Sequence, residues 1–108
     1  IAYVSHLSHI SSFMLGKTVL EIEKDEKSIF DMAGSGFAST VRLAKSNPST
    51  WPPILIQNTE NVIRSLEEYI KNLNEFKDVL SRESEREVFE IMYNTNKIKG
   101  VLAGIKNS

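Results

Sequence analysis

Apolar residues recur along most of this chain at spacings of three and four, the period of an α-helix, and nowhere alternate cleanly over more than a few residues. Over residues 1 to about 24, Tyr3, Leu7, Ile10 and Met14 mark one apolar stripe. A second face of the same predicted helix carries Ser5, His9, Ser12 and Gly16, which fall within about 40° of one another at 100° per residue. Small side chains on that face let another backbone or a ligand come close. Glu21 to Lys27 is a run of charge that reads as a solvated end.

A short helix is predicted over 28–33, stopped by Gly34-Ser35-Gly36, and another over 37–46, stopped by Asn47-Pro48. The Gly-Ser-Gly turn can take φ values that other residues resist. One long helix is predicted over 50–81. In it Val62, Leu66, Tyr69, Leu73, Phe76 and Leu80 repeat at four, three, four, three, four, a heptad seam flanked by Ile63 and Ile70. With Thr50 as N-cap, Pro52 and Pro53 sit in the first turn, where no backbone donor is needed, leaving Pro48 to Trp51 as a separate turn. From about Ser84 a last helix carries Val88, Met92, Thr95, Ile98, Leu102 and Ile105, and Gly100 and Gly104 weaken its end.

The length of the seam helix has a consequence. At 1.5 Å per residue, 32 residues span roughly 48 Å. A compact domain of this size is roughly 34 Å across. The helix overhangs its own globule with an apolar seam, and a second copy packed by two-fold symmetry is the economical cover. A sharp break in the helix, or cover from an upstream domain, would also resolve the excess.

Composition narrows the possible classes. The 108 residues fit one domain, with 41% apolar and 25% charged content, that of an ordinary globular protein. Net charge is −1 and the signs are interspersed, which argues against nucleic-acid and membrane-surface partners. The absence of cysteine removes disulfides, thiolate nucleophiles and thiolate metal sites. No apolar run approaches the roughly 18 residues of a membrane span, and no signal peptide is visible, so a cytoplasmic protein is expected. The chain opens on Ile1 in an already periodic apolar stretch, so the numbering is expected to start inside a longer protein with an upstream domain.

Four residues are candidates for chemistry. Arg42 follows the Gly-Ser-Gly turn by about one and a half turns of predicted helix. Its side chain can lean back to join a helix N-terminus in holding a carboxylate. The alternative is a surface arginine beside a helix capped by Ser35. His9 lies on the small-residue face and is placed either to meet a ligand in a cleft or to serve packing. His6 and His9 together are a poor metal signal without a third ligand, and no metal is expected. Trp51 reads as an anchor for the start of the long helix or as a pocket edge. No nucleophile, base and orienter can be assembled, and Gly34-Ser35-Gly36 does not follow a predicted strand, so no catalytic residue and no nucleotide fingerprint is assigned here.

Val4-Ser5-His6-Leu7-Ser8-His9, Ala33-Gly34-Ser35-Gly36-Phe37, Arg42-Leu43-Ala44, Asn47-Pro48-Ser49-Thr50-Trp51 and Asn58 together resemble the C-terminal domain of the prephenate and arogenate dehydrogenases. The likeness covers about the first 80 residues, and Ser39 and Val41 depart from the Asp and Thr common in that family. It implies an all-α helical bundle with one long helix, forming an intertwined two-fold dimer like the C-terminal domain of 6-phosphogluconate dehydrogenase. Residues 1–108 would then be one dimerisation and substrate-binding domain, inactive alone. A separate N-terminal domain would bind NAD or NADP and carry the catalytic histidine. The implied reaction is oxidative decarboxylation of prephenate to 4-hydroxyphenylpyruvate in tyrosine biosynthesis. The resemblance also implies that Arg42 holds a substrate carboxylate, His9 lines the pocket, Ser35 stands near the ligand, and Trp51 forms the pocket edge.

Overall fold

The computed structural model describes residues 2–106. Ile1, where the first helix is expected to begin, lies outside the described residues, as do the side chains of Tyr3 and Ile105. The described residues form helices and turns with no strand, in agreement with the all-α expectation. They comprise α1 (Ala2–Ile22), α2 (Glu26–Met32), α3 (Ser35–Thr40), a 3-10 turn (Arg42–Lys45), α4 (Trp51–Gln57), α5 (Thr59–Ser81), α6 (Glu85–Thr95) and α7 (Ile98–Lys106). None of these helices is long and apolar enough to cross a membrane. The chain divides into two compact units, Ile1–Glu67 and Glu68–Ser108.

In the first unit the small-residue face of α1 sets the packing. Ser12 is 1% exposed, and the 3-10 turn lies against α1 where a Cβ on Gly16 would stand 3.7 Å from Ala44 Cβ. α2 starts at Glu26, two residues before the expected Ser28, because Asp25 caps it by accepting from Lys27 N–H at 3.1 Å. Gly34 is the N-cap of α3 with φ −87°, and no described glycine has positive φ. The turn thus leaves glycine's left-handed freedom unused, and Ser35 is the first helical residue, not a cap.

Two predicted helices also need correction. The helix expected over 37–46 ends at Thr40, and Arg42–Lys45 winds as a 3-10 turn at about three residues per turn. The single helix expected over 50–81 is broken at Asn58, whose N–H bonds to Leu55 O at 3.1 Å with φ −124° and ψ 32°. α5 has 23 residues, about 35 Å at helical rise, so the overhang inferred from one unbroken helix does not arise in that form. The start at Thr50–Trp51 agrees with expectation, with both prolines in the first turn of α4. Thr50 nonetheless makes no side-chain cap and has helical φ and ψ. Its N–H already bonds to Asn47 O in the preceding turn, so the chain enters the helix without a separate cap.

In the second unit Ser84 caps α6, accepting from Glu87 N–H at 3.2 Å, at the expected start. The final helix is two, parted at Asn96–Lys97. The turn before Ser84 contains Glu83 with φ 54°, a left-handed conformation costly for a residue with a Cβ. Val79 is buried at 7% exposure, while its neighbour Leu80, placed on the seam by spacing, is exposed. Leu73, Met92, Ile98 and Leu102 are exposed too.

Candidate functional site

The first unit brings His9 and Trp51, two of the four residues that the resemblance places at a pocket, into direct contact. His9 projects from α1 and Trp51 opens α4, and their rings stack with centroids 3.6 Å apart at 30°. His6, one turn earlier on α1, meets the same indole nearly perpendicularly, at 5.8 Å and 81°. The i, i+3 histidines thus bracket one tryptophan. Among the described residues no three His, Asp or Glu side chains converge on a common point.

Proton positions follow from the partners. His9 Nδ1 lies 3.1 Å from Ser5 O, which can only accept, so Nδ1 carries a hydrogen and, in the neutral ring, Nε2 is the bare nitrogen. His6 Nδ1 lies 3.3 Å from Asn58 Nδ2, which can only donate, so His6 has the opposite tautomer. Asn58 is the residue that interrupts the α4–α5 helix, and its side chain answers α1 from 52 residues away in sequence.

The stacked rings border a hollow of about 280 Å³. Ile10, Phe13, Met14, Pro48, Pro52 and Leu55 complete its apolar wall, and Asn47 stands at its margin. The Asn47–Thr50 turn that frames it is held by Ser49 N–H donating to Asn47 Oδ1 at 2.9 Å. A flat apolar ring of roughly benzene size fits such a space, with polar groups confined to the rim.

Arg42 and Ser35 stand elsewhere. Arg42, with Lys45, borders a second hollow of about 370 Å³ formed by Leu20, Ile29, Phe30, Ala33 and Phe37. Arg42 has no ion-pair partner among the described residues. Ser35 is exposed at the start of α3. Both hollows lie along α1, and the 11 residues from His9 to Leu20 correspond to about 16 Å of helix. In its 3-10 winding Arg42 shares the second hollow with Ala33 and Phe37, the residues on either side of Gly34–Gly36.

Comparison with known proteins bears on what this arrangement is. The family described as "Prephenate dehydrogenase, dimerization domain" matches residues 1–94, the stretch that holds all of these side chains. The chain belongs to the prephenate dehydrogenase dimerization-domain family. It is 24% identical over 86 residues to the prephenate dehydrogenase of Bacillus subtilis (strain 168), covering 80% of this chain and 23% of that protein. Its fold superposes on the crystal structure of Synechocystis arogenate dehydrogenase with a TM-score of 0.85 and 26% identity, over 94% of this chain and 37% of that one. The chain therefore spans less than half the length of either dehydrogenase.

Within this family domain, the sequence reading quoted Asn58 but missed its bond to His6, and it missed Phe13 in the hollow. Phe13 was within reach of reasoning, because it lies one helical turn beyond His9. The His6–Asn58 bond had no local signal, since it joins residues that only the tertiary fold brings together.

Proposed function

We propose that this chain is the substrate-binding and dimer-forming part of an NAD-dependent prephenate dehydrogenase of the cytoplasm. The whole enzyme would convert prephenate to 4-hydroxyphenylpyruvate and CO₂ by oxidative decarboxylation in tyrosine biosynthesis. The observation that carries the reading is the His9–Trp51 stack on the wall of an apolar, ring-sized hollow inside the family-matched region.

The substrate's chemistry fits these parts. Prephenate has a six-membered ring and two carboxylates, and loss of CO₂ restores an aromatic ring. The protein therefore has chiefly to hold the ring and fix its orientation. Trp51 and His9 offer a flat surface for the ring and His9 Nε2 offers an acceptor at its edge, whereas Arg42, on the second hollow, is assigned a substrate carboxylate through the resemblance alone. Ser35 is assigned a place near the ligand through the resemblance alone. Gly34–Gly36 follows α2 and not a strand, so this turn does not match a dinucleotide-binding fingerprint. NAD or NADP is accordingly assigned mainly to a separate N-terminal domain.

A homodimer is part of the proposal. The family's description names dimerization, and exposed Leu73, Met92, Ile98 and Leu102 supply apolar surface for a second copy to cover. Arogenate is a second reading of the substrate, favoured by the Synechocystis relative. The ratio of kcat/KM for the two compounds separates them.

In the full-length enzyme, Arg42→Ala and His9→Ala are each expected to raise KM for prephenate, Arg42→Ala by roughly tenfold to a hundredfold, the worth of one charge-assisted hydrogen bond. Dimerisation should survive both. An unchanged KM would remove the substituted residue from the pocket.

A further inference from the structure

The hydrogen bonds behind Trp51 form a chain with one permitted direction. Arg64 Nη1 donates to Asn61 Oδ1 over a long 3.5 Å. Asn61 Nδ2 donates to Asn58 Oδ1 at 2.8 Å, and Asn58 Nδ2 donates to His6 Nδ1 at 3.3 Å. A guanidinium has donors only, so Asn61 must turn its oxygen toward Arg64 and its amide toward Asn58. Asn58 is then committed in the same sense, and His6 can take part only with a bare Nδ1. The series starts at an exposed residue on α5 and ends at His6, which with Ser12 is a buried polar side chain among the described residues.

We propose that His6 is the positioning residue for Trp51, held by Asn58 in the Nε2–H tautomer so that the indole lies flat against His9. Three observations converge on it. His6 is buried, so its ring cannot take its hydrogen bond from bulk water without exposing itself. It meets Trp51 at 81°, while His9 meets Trp51 at 30°, so the two histidines restrain the indole in different directions. Asn58 ends α4, whose first residue is Trp51, so one residue serves both, its side chain bonding the His6 ring and its backbone N–H closing the far end of the helix carrying the indole on Leu55 O. His9 differs in kind, since its Nδ1 is occupied by Ser5 O on its own helix and it has no such link to α4 or α5 except through the ring stack. His6 therefore acts through Trp51 and not on a ligand, and its role rests on reading the hollow as the substrate site.

The test uses the full-length enzyme labelled with 5-fluorotryptophan, with Trp51→Phe to assign the Trp51 resonance. In Asn58→Ala the Trp51 ¹⁹F resonance is expected to shift, and KM for prephenate to rise roughly fivefold, the worth of one typical hydrogen bond, more than kcat falls. Asn58→Asp keeps the shape and offers a carboxylate to which His6 Nδ1–H can donate. It should restore the Trp51 resonance toward its original position while ¹⁵N spectra show a hydrogen now on Nδ1. In the unsubstituted enzyme the same ¹⁵N spectra should show His6 Nδ1 bare and His9 Nδ1 protonated. A Trp51 resonance that does not move in Asn58→Ala, or a hydrogen on His6 Nδ1 in the unsubstituted enzyme, overturns the inference. A resonance that shifts while KM stays constant upholds the positioning role and instead overturns the reading of the hollow as the substrate site.

Discussion

In Ile1–Glu67 the tightest packing falls on small and polar side chains. Ser12 and His6 are buried, Gly16 faces Ala44, and the bond from Asn58 to His6 crosses 52 residues. In Glu68–Ser108 the reverse holds, since large apolar side chains are plentiful and most of them stand in solvent. Leu73 is 54% exposed and Leu102 is 56% exposed, and Phe89 and Tyr93 stack on each other with both rings largely outside. The contrast teaches how the two kinds of surface differ. Small residues let backbones approach and fix side chains such as Trp51 in one place, which is what a binding hollow needs. A broad stripe of leucine, isoleucine and methionine fixes little by itself but supplies area, which is what association needs.

The largest effect should come from placing charge on that stripe. Each leucine covered by a partner contributes about 2 kcal/mol of apolar burial, and an unpaired carboxylate in its place adds several kcal/mol of desolvation cost. The double variant Leu73→Glu, Leu102→Glu in the full-length protein is therefore expected to sediment as a monomer. Its helical circular dichroism should be kept, because both positions are already exposed in the single chain. A variant that remains dimeric at micromolar concentration would show that the second copy covers some other face.

Much of this division could be read from residue types. The small-residue line Ser5, His9, Ser12, Gly16 correctly marked where another segment comes close, since its spacing follows directly from the helical period. The Thr50–Trp51 and Ser84 boundaries were legible because proline and serine have strong positional chemistry at helix starts. The break at Asn58 was not legible. No proline or glycine marks it, and the heptad that begins at Val62 has the same phase whether or not a helix precedes it. The bond that Asn58 makes there, to His6, joins residues that only the tertiary fold brings together. The 3-10 winding at Arg42 was not legible either, nor was the separation of Arg42 from the His9–Trp51 hollow.

A smaller effect, of opposite sign, sharpens the account of the first unit. Glycine in a helix interior costs about 1 kcal/mol relative to alanine, so Gly16 is retained at some expense to α1. A Cβ there would sit 3.7 Å from Ala44 Cβ, an ordinary van der Waals separation. Gly16→Ala is thus expected to raise stability by up to about 1 kcal/mol, read as a higher urea midpoint at constant m-value. Gly16→Leu should lower it, because the larger side chain would have to displace the 3-10 turn. A destabilised alanine variant would mean that α1 and the turn approach more closely than this.

The smallest effect belongs to the second unit, where one polar clasp spans the turn between α5 and α6. Arg82 Nε and Nη2 donate to the two oxygens of Glu87 at 3.3 and 3.1 Å. The hydrogen bond from Arg82, reinforced by its charge, holds the Glu87 carboxyl below its usual range, and the same contact raises Arg82. Because the folded value of Glu87 is lowered, the clasp contributes above the unfolded carboxylate range and is lost as pH falls through the lowered folded value. Arg82 stays charged throughout. Both groups are solvated, so the contribution is small and weakened by salt. The urea midpoints of the unsubstituted protein and Arg82→Gln should accordingly differ slightly at neutral pH and at low salt, and converge in acid once Glu87 is protonated. In Arg82→Gln the Glu87 side-chain resonances should titrate at higher pH than in the unsubstituted protein. A Glu87 titration indifferent to that substitution would leave the left-handed Glu83 turn held by the Ser84 cap and backbone bonds alone, and the second unit with one fewer fixed point than the first.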